Sequence, residues 1–137
     1  MYSSAFKRYV GLEAAARRLT IYHDQRIPGL LQTADYARAI ISASPKFTSS
    51  EDIEKGVEHR LKRQALITHK TNAVELDVML HVSVLYWTLG GPNVMAGALR
   101  HLAEMSKYPN ITIRVRPYSA GLTWGLPHGS FILLGSD

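Results

Sequence analysis

The sequence contains no cysteine. That absence excludes a disulfide framework, a thiolate zinc site and a cysteine nucleophile. It also accords with a reducing compartment. No apolar run approaches the roughly 18 residues of a membrane span, so no membrane association is expected. The stretch 1–18 lacks the apolar segment of a secretory signal and carries Lys7, Arg8 and Glu13 instead. The cytoplasm is therefore the expected compartment. Several enzyme signatures are missing as well. There is no HExxH helix, no phosphate-binding loop ending in Lys-Ser or Lys-Thr, no GxGxxG fingerprint and no GxSxG elbow. No internal repeat or low-complexity segment interrupts the chain.

What remains is ordinary globular material. The chain has 137 residues, of which 46% are hydrophobic and 20% charged. That suits one domain with a real core and does not suit a disordered tail. The formal charge is +5. An excess of this sign favours anionic partners, but the charges are spread along the chain and form no basic arm. Direct nucleic-acid contact is not the reading they support.

Periodicity predicts helices first and strands later. Phe6, Tyr9, Val10 and Leu12, followed by Ala14 to Ala16, predict a helix over 5–19. Pro28-Gly29 punctuates the chain. Thr33 is the expected cap of a helix that runs to about Ala43, with Tyr36, Ala37, Ile40 and Ile41 on one face. Thr48 and Glu51 match a capping box at the start of a long helix to about Thr68, with Ile53, Val57, Leu61 and Ala65 as its seam. Glu58 and Lys62 form an i,i+4 pair in the favourable order.

From Val74 to Leu85 the apolar residues alternate, which predicts a strand. Gly90-Gly91-Pro92 breaks it, and Asn93 is the expected cap of a helix carrying Met95, Leu99, Leu102 and Met105. Ile111–Arg116 and Ser130–Leu134 are the second and third predicted strands. Strand, helix, strand across 74–116 is long enough for a crossover between parallel strands. The third strand is expected to return antiparallel beside the second. The fold class expected is α+β: N-terminal helices over 1–70, then a small mixed sheet with a β-α-β crossover over 71–137, in a single domain.

Six histidines are present, none beside a second metal ligand at useful spacing, and neither a metal nor a cofactor is expected. In a strict alternation His81 faces away from Leu80 and Val82, among Met79, Ser83 and Leu85. It is either a half-buried histidine satisfied in place or a polar group inside an apolar pocket, able to orient a ligand. Glu75 and Asp77 share a strand face, which is ordinarily solvated. Tyr86, Trp87 and Trp124, joined by Tyr22, Tyr36 and Tyr118, are either core and rim aromatics or the lining of a pocket for a flat apolar molecule.

Several separate stretches resemble one family. They are Tyr9 to Ala16, then Ile27-Pro28-Gly29-Leu30-Leu31-Gln32-Thr33 with Asp35 to Ala39, then Glu58 to Gln64. Leu89-Gly90-Gly91, Pro109, Ala120-Gly121 and Gly129 to Leu134 follow in order. This pattern resembles the DUF5753 domain of Scr1-type, antitoxin-like helix-turn-helix regulators of Streptomyces and other actinobacteria. The resemblance implies a signal-sensing or partner-binding effector domain. Its partner would be a small-molecule signal or a small protein, with a homodimer as a further option. DNA would be contacted only through a helix-turn-helix domain outside this chain.

Departures from the family pattern bear on the site. Val82 stands where the family tends to be acidic, Tyr86-Trp87 where it has an arginine pair, and Thr123-Trp124 where a histidine is usual. The chain also ends short of the further strands and C-terminal helix that the resemblance implies, as a fragment or a shortened relative would. As an effector domain it would present a surface or pocket near Gln32, Tyr36, Arg60, Arg63 and Gln64. The alternative is a stand-alone relative acting as a small cyclase of secondary metabolism, its pocket lined by His81, Tyr86, Trp87, Trp124 and His128.

Overall fold

In this computed structural model the described residues are 8, 17–46, 49–69, 71–121 and 129–135. Strand β1 spans Arg18–His23, with Leu19 and Ile21 buried on one side. The helix expected over 5–19 therefore does not reach its predicted end, because Arg18 and Leu19 belong to the strand. Apart from Arg8, which is helical, the rest of that segment lies outside the described residues.

A short 3-10 turn, Gly29–Leu31, leads into helix α1, Ala34–Ser42. Thr33 caps α1 as the sequence predicts: its hydroxyl oxygen accepts from the Tyr36 N–H at 3.1 Å. Helix α2, Ser50–Arg63, starts one residue later than expected. Ser49, which suits a cap as well as Thr48 does, accepts from the Asp52 N–H at 3.1 Å. Thr48 itself lies outside the described residues. The long helix breaks at Gln64 and resumes as a single turn, Ala65–Thr68. Ala37, Ile41 and Val57 form the contact between α1 and α2. Leu61, expected in that seam, is 38% exposed.

Strand β2 spans Glu75–His81 and buries Leu76, Val78 and Leu80. It ends four residues before its predicted limit, at a 3-10 turn over Val82–Leu85. His81 Nδ1 accepts from the Ser83 N–H at 3.2 Å. This local bond competes with continued pairing. The turn to the next helix needs Gly90, whose φ is +78°. A Cβ there would stand 2.9 Å from Val94 Cγ1 and 3.0 Å from Ala39 Cβ. Helix α3, Pro92–Met105, begins with proline, so Gly91 and not Asn93 holds the cap position.

Strand β3, Ile111–Arg116, runs parallel to β2, with Leu76 opposite Ile111, as the crossover requires. Strand β4, Phe131–Gly135, does not lie beside β3. It pairs antiparallel with β1, Ile21 opposite Ile132. The sheet order is β3-β2-β1-β4. The correction follows from β1: a strand supplied by the half expected to be helical becomes central, and its free edge takes β4. The chain is α+β with a mixed sheet, but its helical and sheet parts are interleaved.

One sheet face carries Leu19, Ile21, Leu76, Val78, Leu80 and Ile111. It packs against Leu30, Leu31, Tyr36, Ile67, Met95, Ala98 and Leu102 from the helical layer. By alternation, the opposite face carries Thr20, Tyr22, Asp77, Met79, His81, Arg114, Arg116, Phe131 and Leu133. No helix among the described residues covers that second face. None is long and apolar enough to cross a membrane.

Candidate functional site

The first group of expected binding residues comes together, but inside the protein. Gln32 is 1% exposed and Tyr36 is fully buried, so of the surface or pocket expected near them neither forms an exposed surface. Tyr36 Oη accepts from the Ile27 N–H at 3.0 Å. Gln32 Nε2 donates to the Ile27 carbonyl at 2.7 Å, and Gln32 Oε1 accepts from Arg60 Nη1 at 2.8 Å. Gln64 Nε2 donates to the carbonyls of Gly29 and Gln32 at 3.1 and 2.7 Å. Arg63 is half-buried on the last turn of α2. Gln32, Tyr36, Arg60 and Gln64 clasp the 27–32 loop to α1 and α2. Apart from the Arg60–Gln32 bond between side chains, their hydrogen bonds go to the backbone that an irregular buried loop leaves unpaired.

The described members of the second group, His81, Tyr86 and Trp87, stand at or just after the carboxyl end of β2, where ligands of open sheets commonly bind. His81 ends β2, with Nδ1 2.8 Å from Ser83 Oγ, and Ser83 Oγ donates to the Asp24 carbonyl at 3.2 Å. The Tyr118 ring meets His81 edge-on at 4.5 Å. Arg116 donates to the carbonyls of Ala120 and Gly121. Asp24 Oδ1 accepts from Ser130 Oγ at 3.1 Å, which ties the end of β1 to the start of β4. Tyr86 and Trp87 sit in the turn after β2, 77% and 57% exposed. Trp124 and His128 lie outside the described residues. His81 thus behaves first as the cap of a turn.

Another recess lies on the sheet face opposite the main core. Thr20, Ile21, Tyr22, Asp77, Met79, Arg114 and Phe131 line a cavity of about 150 Å³. Tyr22 and Phe131 face each other across β1 and β4, ring centres 5.7 Å apart. Tyr22 is 5% exposed. Burial and the nearby Asp24 carboxylate push its phenol above the ordinary range, against the opposing pull of Arg116. At the mouth, Arg114 Nη2 holds both Asp77 oxygens, at 3.0 and 2.9 Å. Among the described residues, Arg114 Nε and Nη1 have no partner.

A wider groove of about 490 Å³ runs between α1 and α2, lined by Ala34, Arg38, Glu54, Val57, Glu58, Leu61 and Lys62. Its polar groups are already spent. Arg38 uses Nε and Nη2 on Glu54 and Nη1 on Asp35, and Lys62 pairs with Glu58. The groove is larger, but the sheet cavity combines an apolar floor with unused donors. In the sequence, Tyr22 and Asp77 carry only general signals, as an aromatic and as half of a carboxylate pair. Thr20, Met79, Arg114 and Phe131 carry none, because only the sheet order brings them together. Among the described residues, no cluster of three or more His, Asp or Glu could hold a metal ion.

Two other histidines make stability depend on pH. His23 Nδ1 and His101 Nε2 are buried with no hydrogen-bond partner among the described residues. Burial lowers the pKa of both, and Arg26 lowers that of His23 further while Asp24 opposes. Unfolding returns each to about 6.5. Just below that value the unfolded chain binds more protons than the folded one. Their contribution is therefore complete above about pH 6.5 and is lost as the pH falls through the folded values. Urea unfolding between about pH 5 and 8 should give a midpoint that drops on acidification, and His101→Leu should flatten part of that slope. A midpoint that rises on acidification would contradict this.

Comparison with known proteins adds one finding. No curated protein and no solved structure matches the chain. A family profile described as "Domain of unknown function (DUF5753)" matches residues 6–137, nearly the whole sequence. The loop clasp built from Ile27 to Gln32, Arg60 and Gln64 lies within the matched region, and the chain belongs to the DUF5753 family.

Proposed function

We propose that this chain is the signal-sensing effector domain of a helix-turn-helix regulator, and that its small-molecule signal binds on the sheet face opposite the main core. One observation carries the reading: an apolar cavity on that face is bordered by a guanidinium whose Nε and Nη1 have no partner among the described residues. A few placed polar groups beside an apolar floor is the usual composition of a small-molecule site. DNA contact belongs to a domain outside this chain. Occupancy would bridge β1, β2, β3 and β4, and so could bias how the sheet presents itself to a neighbouring domain. The cyclase alternative draws on Tyr86, Trp87 and Trp124, and it gains nothing from the exposed positions of the first two.

The test is a two-dimensional NMR screen of the isotope-labelled chain against a metabolite library. Binders are expected to shift the amides of Thr20, Tyr22, Asp77, Met79, Arg114 and Phe131. Thr20→Trp, which places an indole in the cavity, is expected to abolish those shifts. Binders that map elsewhere, or that bind the variant equally well, overturn the reading.

A further inference from the structure

The chemistry of the cavity narrows the ligand class, on the footing that the sheet face is the binding site. Its volume, about 150 Å³, admits one benzene-sized group. The floor suits such a group. Tyr22 and Phe131 contribute aromatic rings to the lining, and Met79 brings a polarisable thioether, which makes favourable contacts with aromatic rings.

The mouth is charge-balanced and bifunctional. Arg114 reaches Asp77 through a single nitrogen, Nη2. Its Nε and Nη1 can still donate to an incoming oxygen anion in the forked geometry that guanidinium favours. Each Asp77 oxygen accepts one bond from Arg114 and retains a further acceptor site. A ligand with one charge would upset a neutral pair. A ligand carrying both charges on adjacent atoms leaves the mouth neutral and satisfies both partners. The side chains are 59% and 40% exposed, so both are reachable from solvent.

We infer that the site takes a free α-amino acid with a side chain of about benzene size. Its carboxylate rests on Arg114, its ammonium on Asp77, and its side chain among Tyr22, Met79 and Phe131. An amino acid meets all three demands because its carboxylate, ammonium and side chain branch from one carbon. The indole of tryptophan exceeds the space, and the methyl of alanine leaves the floor wet.

L-Phenylalanine is the probe, titrated calorimetrically into the intact chain. Saturable binding is expected, weaker by roughly tenfold or more for phenylacetate, for phenethylamine and for N-acetylphenylalanine, each of which lacks one charge. Alanine and tryptophan should bind more weakly still. Asp77→Asn should make the protein treat phenylalanine and phenylacetate alike, and Arg114→Gln should do the same for phenylalanine and phenethylamine. A merely structural role for the pair would not exchange these preferences. Both positions are on the surface, and circular dichroism verifies that the variants fold. Should either variant fail to fold, Thr20→Trp must still abolish phenylalanine binding. If phenylalanine does not bind while other compounds bind in a manner that Thr20→Trp blocks, the amino-acid assignment falls and the site stands. If nothing binds the sheet face, both fall.

Discussion

Tyr36→Ala should cost about 3–5 kcal/mol of folding stability, the range for emptying a fully buried aromatic site. Tyr36 is 0% exposed and sits in the main core with Leu30, Leu31 and Val84. The loss has two parts that a second variant separates. Tyr36→Phe keeps the ring and removes only the hydroxyl that accepts from the Ile27 N–H at 3.0 Å. A buried donor left without a partner costs about 1–3 kcal/mol. Burial also pushes the Tyr36 phenol above its ordinary range, so it stays protonated at neutral pH. Equilibrium urea unfolding of the three proteins measures both steps. A Tyr36→Phe variant within about 0.5 kcal/mol of the parent would show that Ile27 finds water or another acceptor, and the clasp would lose one of its ties.

Gln32→Leu should cost about 1–3 kcal/mol although it leaves little void, because it orphans a carbonyl. The Ile27 oxygen, 2.7 Å from Gln32 Nε2, loses that donor, and Arg60 Nη1 loses its bond to the Gln32 oxygen. Pairing Gln32→Leu with Arg60→Leu in a double-mutant cycle should return a coupling of about 0.5–3 kcal/mol, as for residues sharing one network. The same variant also decides what the loop residues are for. If Gln32, Tyr36, Arg60 and Gln64 act as a clasp, Gln32→Leu weakens folding and leaves ligand affinity on the sheet face unchanged. If the loop were itself a binding surface, affinity for the ligand would fall with little change in the unfolding midpoint.

Local chemistry was legible where a residue acts on its immediate neighbours. Thr33 announces its helix because the hydroxyl needs only the N–H three residues on. Ile111–Arg116 shows its strand through alternation and a following proline, and its limits match. Strand β1 was hidden. Leu19 follows an alanine-rich helical pattern, and what makes Arg18–His23 a strand is pairing with residues 75–80 and 131–135. Those partners are remote in sequence, and no short window contains them. The end of β2 was hidden for a different reason. Val82 and Val84 keep the alternation going, while the His81 side chain diverts the backbone at Ser83. The sheet-face cavity depends on both hidden facts. Without β1 there is no Tyr22 beside Phe131, and without the β2–β3 register, which sets Arg114 opposite Met79, Arg114 does not reach its diagonal neighbour Asp77. The loop residues were legible as a group because α2 brings Arg60 and Gln64 to one region of its surface. Their burial was not legible, since a buried glutamine and an exposed one look alike in sequence.

The place of β1 between β2 and β4 governs the order in which the domain can be finished during synthesis. Its neighbours emerge late: β2 at residues 75–81 and β4 at residues 131–135. At ribosomal speeds of about 5–20 residues per second, β1 waits several seconds or more for its last partner. During that interval Leu19, Ile21 and Tyr22 belong to a strand with at least one open edge, in a crowded environment that favours mispairing. The 29–31 turn, helix α1 and the 65–68 turn are complete well before then and can shelter the strand's core face. On this view the helical layer serves the nascent chain as an internal chaperone before it serves the folded domain as a wall.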